Sequence, residues 1–177
     1  MSFRFMQTQV EIALAEGPWP EADALLLPTN DYLWMATGPA LTIKQSAGEE
    51  VELEAVRSGP IPVGGVVATG SGNLPLSGIV HAAVMGQDLH VDGKIAGGAL
   101  RRGIAKAIER RWQRLLIHSF LGTGRSTSRE VAHQILDVLV DELLEGLNLQ
   151  EIVLLALDES ERAVLHQTLL HIVQSHD

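Results

Sequence analysis

The segment Leu115-Leu116-Ile117-His118-Ser119-Phe120, then Leu121-Gly122-Thr123-Gly124-Arg125-Ser126-Thr127-Ser128, then an apolar-periodic run to Leu147 and Glu151-Ile152-Val153-Leu154-Leu155-Ala156-Leu157 decides the fold. It reads strand, glycine-hydroxyl loop, helix, strand. The two strands are short and almost wholly apolar, as expected for central parallel strands covered on both faces. The intervening helix is long enough for a crossover, and Ser126 or Ser128 ahead of an acidic residue supplies its N-cap. The same alternation extends outward. Downstream, Ser160 to His176 predicts a helix. Upstream, Lys94 to Arg111 is helical, with Ala96, Leu100, Ile104, Ala107 and Ile108 near one face. Strands are predicted at Val10–Leu14, Ala24–Pro28, Gly64–Gly70 and Gly78–Val84, and short helices at Pro39–Ala47 and Glu49–Arg57, stopped by Gly59-Pro60-Ile61-Pro62. Strands alternating with such helices predict an α/β fold, a three-layer α/β/α sandwich. With no linker, repeat or low-complexity run, residues 1–177 are expected to form a single domain.

Composition narrows the function classes. The chain is 46% hydrophobic and 20% charged, a globular balance. It has no cysteine, which excludes disulfides, thiolate metal sites and a cysteine nucleophile. Thirteen basic against 22 acidic residues give a formal charge of −9, which argues against a nucleic-acid or anionic-membrane partner. No apolar run approaches the roughly 20 residues of a membrane span, and the opening Met1-Ser2-Phe3-Arg4-Phe5-Met6 has no signal-peptide core. A cytoplasmic location is therefore expected. Rings are scarce: three Trp, one Tyr and three Phe.

In open α/β sheets ligands sit beyond the carboxyl ends of the strands. Thr29, Asn30 and Asp31 follow one strand, Asp158 another, and Gly122 to Ser128 a third. In that last loop, glycines allow backbone N–H groups to converge, hydroxyls add donors and a helix N-terminus follows, a combination that cradles phosphate. Such a loop can equally be a plain βα turn with an N-cap. Arg125 is either a phosphate partner or a surface residue, although a cation at a helix N-terminus opposes the dipole.

The order of these pieces resembles the macro domain family, α/β/α modules that bind ADP-ribose. Asn73-Leu74-Pro75 followed by Gly78-Ile79-Val80-His81 looks like the family's Asn-Leu-Pro and Val-Ile-His strand, and Gly122-Thr123-Gly124 looks like its phosphate loop. Ala24 to Asn30 takes the place of its Ala-Ile-Val-Asn-Ala-Ala-Asn, and Ile152 to Asp158 that of its last strand. The resemblance covers about residues 10 to 173. It implies a mixed, mostly parallel sheet and a ligand site of Glu16, Gly17, Asn30, Gly38, Gly122, Thr123, Gly124, Arg125 and Ser126. Glu16 would accept from the adenine amino group, the loop would hold the diphosphate and Asn30 would reach the distal ribose. The departures fall in the site. Leu27 replaces the first asparagine of the family pair, and Ala36-Thr37-Gly38 keeps one of three glycines. Ala40 replaces the acid that orients water in hydrolytic members, and Ser126 and Leu157 replace the two rings over the ligand.

Other candidates have simpler readings beside the functional ones. Tyr32 and Trp34 could restore the missing stacking surface, or pack as a lid, the commoner fate of large rings. His81 and His118 lie on strands either side of a crossover helix, where neutral core histidines are commoner than catalytic ones. Asp88-x-His90-x-Asp92 has metal-ligand types but lacks a fourth ligand. His166, His171 and His176 step about 140° round a helix and cannot share a metal face. Arg101-Arg102 and Arg110-Arg111 suit local ion pairs. The resulting expectation is a module binding ADP-ribose or a related small nucleotide metabolite, with no catalytic residue, metal or cofactor assigned. The alternatives are an ADP-ribosyl hydrolase that uses another group, such as Asp31 or a phosphate-held water, and a structural or partner-binding domain without a ligand.

Overall fold

A computed structural model of the chain describes residues 2–121 and 129–177. Its strands are β1 (Ser2–Phe5), β2 (Thr8–Leu14), β3 (Ala24–Asn30), β4 (Val66–Thr69), β5 (Gly78–Met85), β6 (Arg114–His118) and β7 (Glu151–Ala156). The helices are α1 (Gly38–Ala47), α2 (Glu49–Arg57), α3 (Gly93–Glu109), α4 (Arg129–Glu145) and α5 (Glu159–His176). The strands form one seven-stranded sheet in the order β1-β2-β7-β6-β3-β5-β4. Its interior pairings are parallel, and only the edge pairs β1–β2 and β4–β5 are antiparallel. The expected mixed, mostly parallel three-layer sandwich is what the chain forms.

Alternation along the strands divides the core between the two faces. Leu25, Leu27, Ile79, Leu116, Val153 and Leu155 pack with Ala40, Ile43, Ala47 and Val51 of α1 and α2. Leu26, Val80, Ile117, Ile152 and Leu154 pack with α3, α4 and α5. Helix α3 lies close because it is glycine-rich where it meets its neighbours. A Cβ at Gly103 would collide with Leu26, and one at Gly97 with Val138. Asp92 caps α3 by accepting the Lys94 and Ile95 N–H groups, and Asp158 caps α5 by accepting that of Glu161. The strand at Ser2–Phe5 is an addition to the sequence reading. No described helix is long and apolar enough to cross a membrane.

Candidate functional site

A cleft of about 880 Å³ opens at the carboxyl edge of the sheet. Because β2 lies beside β7, and β7 beside β6, chain ends far apart in sequence meet there. The loop after β2 contributes Glu16, Gly17 and Trp19, the end of β6 contributes His118, and the end of β7 contributes Leu157. Gly38, Pro39 and Ile43 of α1 face them, with Leu74-Pro75-Leu76 at the side. Glu16 is exposed, so its carboxylate is available as an acceptor. The Trp19 indole N–H donates to the Ala15 carbonyl at 2.9 Å, which fastens the ring as a wall of the cleft. His118 is 2% exposed and its Nδ1 has no hydrogen-bond partner among the described residues. Burial holds its pKa down at about 4, so the imidazole is neutral at pH 7. Next to the cleft, the Glu161 carboxylate accepts the Leu157 N–H (3.4 Å) and ties the last strand to α5. Burial pushes its pKa up, while hydrogen bonds from Ser119 and Leu157 act the other way.

The β3–α1 connection is built differently. The Asn30 side chain accepts from the Tyr32 N–H at 3.0 Å and donates to the Trp34 carbonyl at 3.3 Å. Thr29 donates to the same carbonyl (3.2 Å). Leu33 takes a left-handed φ of 68°, unusual for a branched side chain. It turns inward, as does Met35, and both are fully buried. Tyr32 and Trp34 therefore point out, 45% and 46% exposed. The buried-lid reading of these two rings is thus corrected: the loop buries its aliphatic residues instead. Behind it, Glu52 accepts from the Met35 N–H (2.6 Å) and pairs with Lys44 (2.8 Å). Gly38 has φ 59°, whereas Thr37 is extended at φ −146°. The retained glycine is the one whose backbone is left-handed, and the two replaced positions do not need that freedom.

Of the site residues expected from sequence, Glu16, Gly17 and Gly38 come together on the cleft. Asn30 lies at the end of β3 and is not among the lining residues. Gly122, Thr123, Gly124, Arg125 and Ser126 lie outside the described residues. Ala40 and Leu27 are buried in the core.

The histidines and charged pairs elsewhere have local partners. His81 is fully buried, its Nε2 2.8 Å from the Thr69 hydroxyl. His166 lies near Phe3 of β1 and His171 near His133 of α4. His176 lies 3.8 Å from Asp141, with Asp137 close by, in a partly exposed cluster between α4 and α5. Asp88 accepts the His90 N–H and Asp92 is spent as a helix cap. Arg101 pairs with Glu142, Arg102 donates to the Gly64 carbonyl and Arg110 lies over Trp112. Among the described residues, Arg101 alone of these arginines makes the expected ion pair.

Comparison with known proteins decides the family. The Macro domain family model matches residues 27–127. An uncharacterized protein of Aquifex aeolicus is 30% identical over 155 residues, covering 85% of this chain and 92% of that protein. The chain belongs to the macro domain family. Among solved structures, this macro domain is similar to the Oceanobacillus iheyensis macrodomain with ADP (TM-score 0.85, 15% identity, 99% of this chain and 97% of that one). It is also similar to a single-substitution variant of that macrodomain with ADPR (TM-score 0.84, 14% identity, 98% of each chain). At these identities the structures speak to the fold of this macro domain.

Two cleft residues escaped the sequence reading in this role. Trp19 has no assigned role in the sequence reading, although its place just past a strand's carboxyl end is a usable signal. His118 was noted as a strand histidine, and only the strand order brings it beside Glu16 and Leu157.

Proposed function

We propose that residues 1–177 form one domain that binds ADP-ribose or a related nucleotide through this cleft. The nucleoside lies between Trp19 and Pro39, with Glu16 accepting from an exocyclic amine. The backbone N–H groups of Gly122 to Ser126, with Arg125, take the diphosphate, and Gly17 and Gly38 allow close approach. Asn30 retains one amide proton and one lone pair beyond its loop bonds for a distal sugar. The observation that carries this reading is the convergence of Glu16, Trp19, His118 and Leu157 on one cleft at the carboxyl edge, in a fold whose structural relatives were crystallised with ADP and ADPR. Turnover is outside the proposal. Ala40 has no group to orient water, and the Asp31 carboxylate accepts a hydrogen bond from Gln87 at 2.7 Å. Calorimetric titration with ADP-ribose, ADP and AMP tests the reading. Saturable binding of all three supports it, and no heat from any at millimolar ligand removes it.

A further inference from the structure

We propose that His118 is a specificity-determining contact on the floor of the cleft, hydrogen-bonding the uncharged nucleoside of the ligand by sugar hydroxyl or base edge. The inference rests on the nucleotide-binding reading above and assigns it a further residue.

Leu116 faces α1 and α2, and Ile117 faces the other helices, so His118 returns to the cleft side of the sheet. Strand β6 lies between β7 and β3, in the interior of the sheet. The ring is 2% exposed and lines the cleft with Glu16, Trp19 and Leu157. A neutral imidazole carries one N–H and one lone pair, and both seek partners when buried. Among the described residues neither ring nitrogen has a hydrogen-bond partner; Nδ1 is closed to solvent, so the nitrogen left to meet a ligand in the cleft is Nε2.

His81 provides the internal control. It sits on β5, opposite Leu27 in the register, and is buried as deeply. Its Nδ1 is likewise unmatched among the described residues, but its Nε2 is held by the Thr69 hydroxyl at 2.8 Å, and it is absent from the cleft lining. His81 is anchored within the fold, whereas His118 has no such anchor among the described residues and borders open space. The place of His118 in the cleft with Glu16 and Trp19, the residues assigned to the nucleoside, points to that part of the ligand, and the neutral ring offers it one directional hydrogen bond.

The test uses the full chain, with ADP-ribose and AMP as probes, because both carry the nucleoside and only the first carries a distal sugar. His118→Phe keeps a planar ring and removes both nitrogens. It is expected to melt at the wild-type temperature or higher, since an unmatched buried polar atom is gone, and to bind both ligands at least tenfold more weakly by a similar factor. His118→Gln, which restores a donor and an acceptor, is expected to recover part of that loss. In wild type, the imidazole 15N resonances of His118 are expected to shift on saturation with AMP while those of His81 stay. Affinities of His118→Phe within twofold of wild type overturn the proposal, as does a loss confined to ADP-ribose. If His118→Phe fails to fold, the 15N shifts of the wild-type protein decide: no shift at His118 overturns it. Wild type that binds neither probe removes the nucleotide reading and this inference together. Wild type that binds, with an indifferent His118→Phe, removes this inference alone.

Discussion

The two ends of one carboxyl edge are built in opposite ways. At the β2–β7–β6 end, Glu16 is exposed, Trp19 is fastened by one bond to Ala15, and the His118 ring has no hydrogen-bond partner among the described residues. At the β3–α1 end the polar groups are committed inward. Asn30 and Thr29 hold the Trp34 carbonyl, Glu52 holds Met35 and Lys44, and Asp31 holds Gln87. The first end keeps hydrogen-bonding capacity for a partner, and the second uses much of its own to maintain a strained loop around Leu33. Substitutions should therefore separate the two ends, lowering affinity at one and stability at the other.

The largest effect expected is on acid stability. His81 and His118 are both held near pKa 4 by burial, against an ordinary 6.5. Between these values the unfolded chain binds more protons than the folded one. Stability is therefore fully present above pH 6.5 and lost as pH falls toward 4, by about 3 kcal/mol for each ring. Denaturant melts across this range should show His118→Phe gaining about 3 kcal/mol relative to wild type by pH 4. A parallel pH profile for the two proteins would contradict the burial of His118.

Next comes the loop end. Glu52→Ala removes a buried carboxylate from the Met35 N–H and the Lys44 ammonium, and should cost about 2–4 kcal/mol in chemical denaturation. AMP affinity should change less than threefold, because the nucleoside end is untouched. A large loss of AMP affinity without a loss of stability would reverse the assignment of the two ends.

Trp19→Ala should show the complementary pattern, weakening AMP about tenfold, within the range of about 1–3 kcal/mol for base–aromatic stacking. Trp34→Ala should leave AMP binding unchanged, since its exposed ring does not line the cleft. Equal losses from the two variants would contradict the cleft as drawn. The smallest effect is that of Gly38→Ala, whose φ of 59° is left-handed. It should cost about 1 kcal/mol of stability, read as a shift in denaturation midpoint.

What was legible in the sequence follows from where the determinants lie. Glu49–Arg57 was predicted to the residue, because its apolar spacing and flanking Gly48 and Gly59-Pro60 are local signals. The central strands were legible because burial on both faces demands unbroken apolar runs. Strand β1 was not: Ser2-Phe3-Arg4-Phe5 is four residues long and mostly exposed, and it is defined by pairing with β2. In the site, Glu16 and Gly17 were legible by resemblance, and the structure brings them to the cleft with Gly38. The internal bonding of Asn30 was not, because it depends on a left-handed Leu33 that no propensity would place there. Trp19 and His118 were hidden for another reason: strand order, a property of the whole chain, decides which loop ends are neighbours.

Titration of the full chain with ADP-ribose beside AMP tests most directly whether the cleft is a nucleotide site. The prediction is saturable binding of both at one site per chain, each displacing the other. Absence of heat from both ligands at millimolar concentration would contradict it.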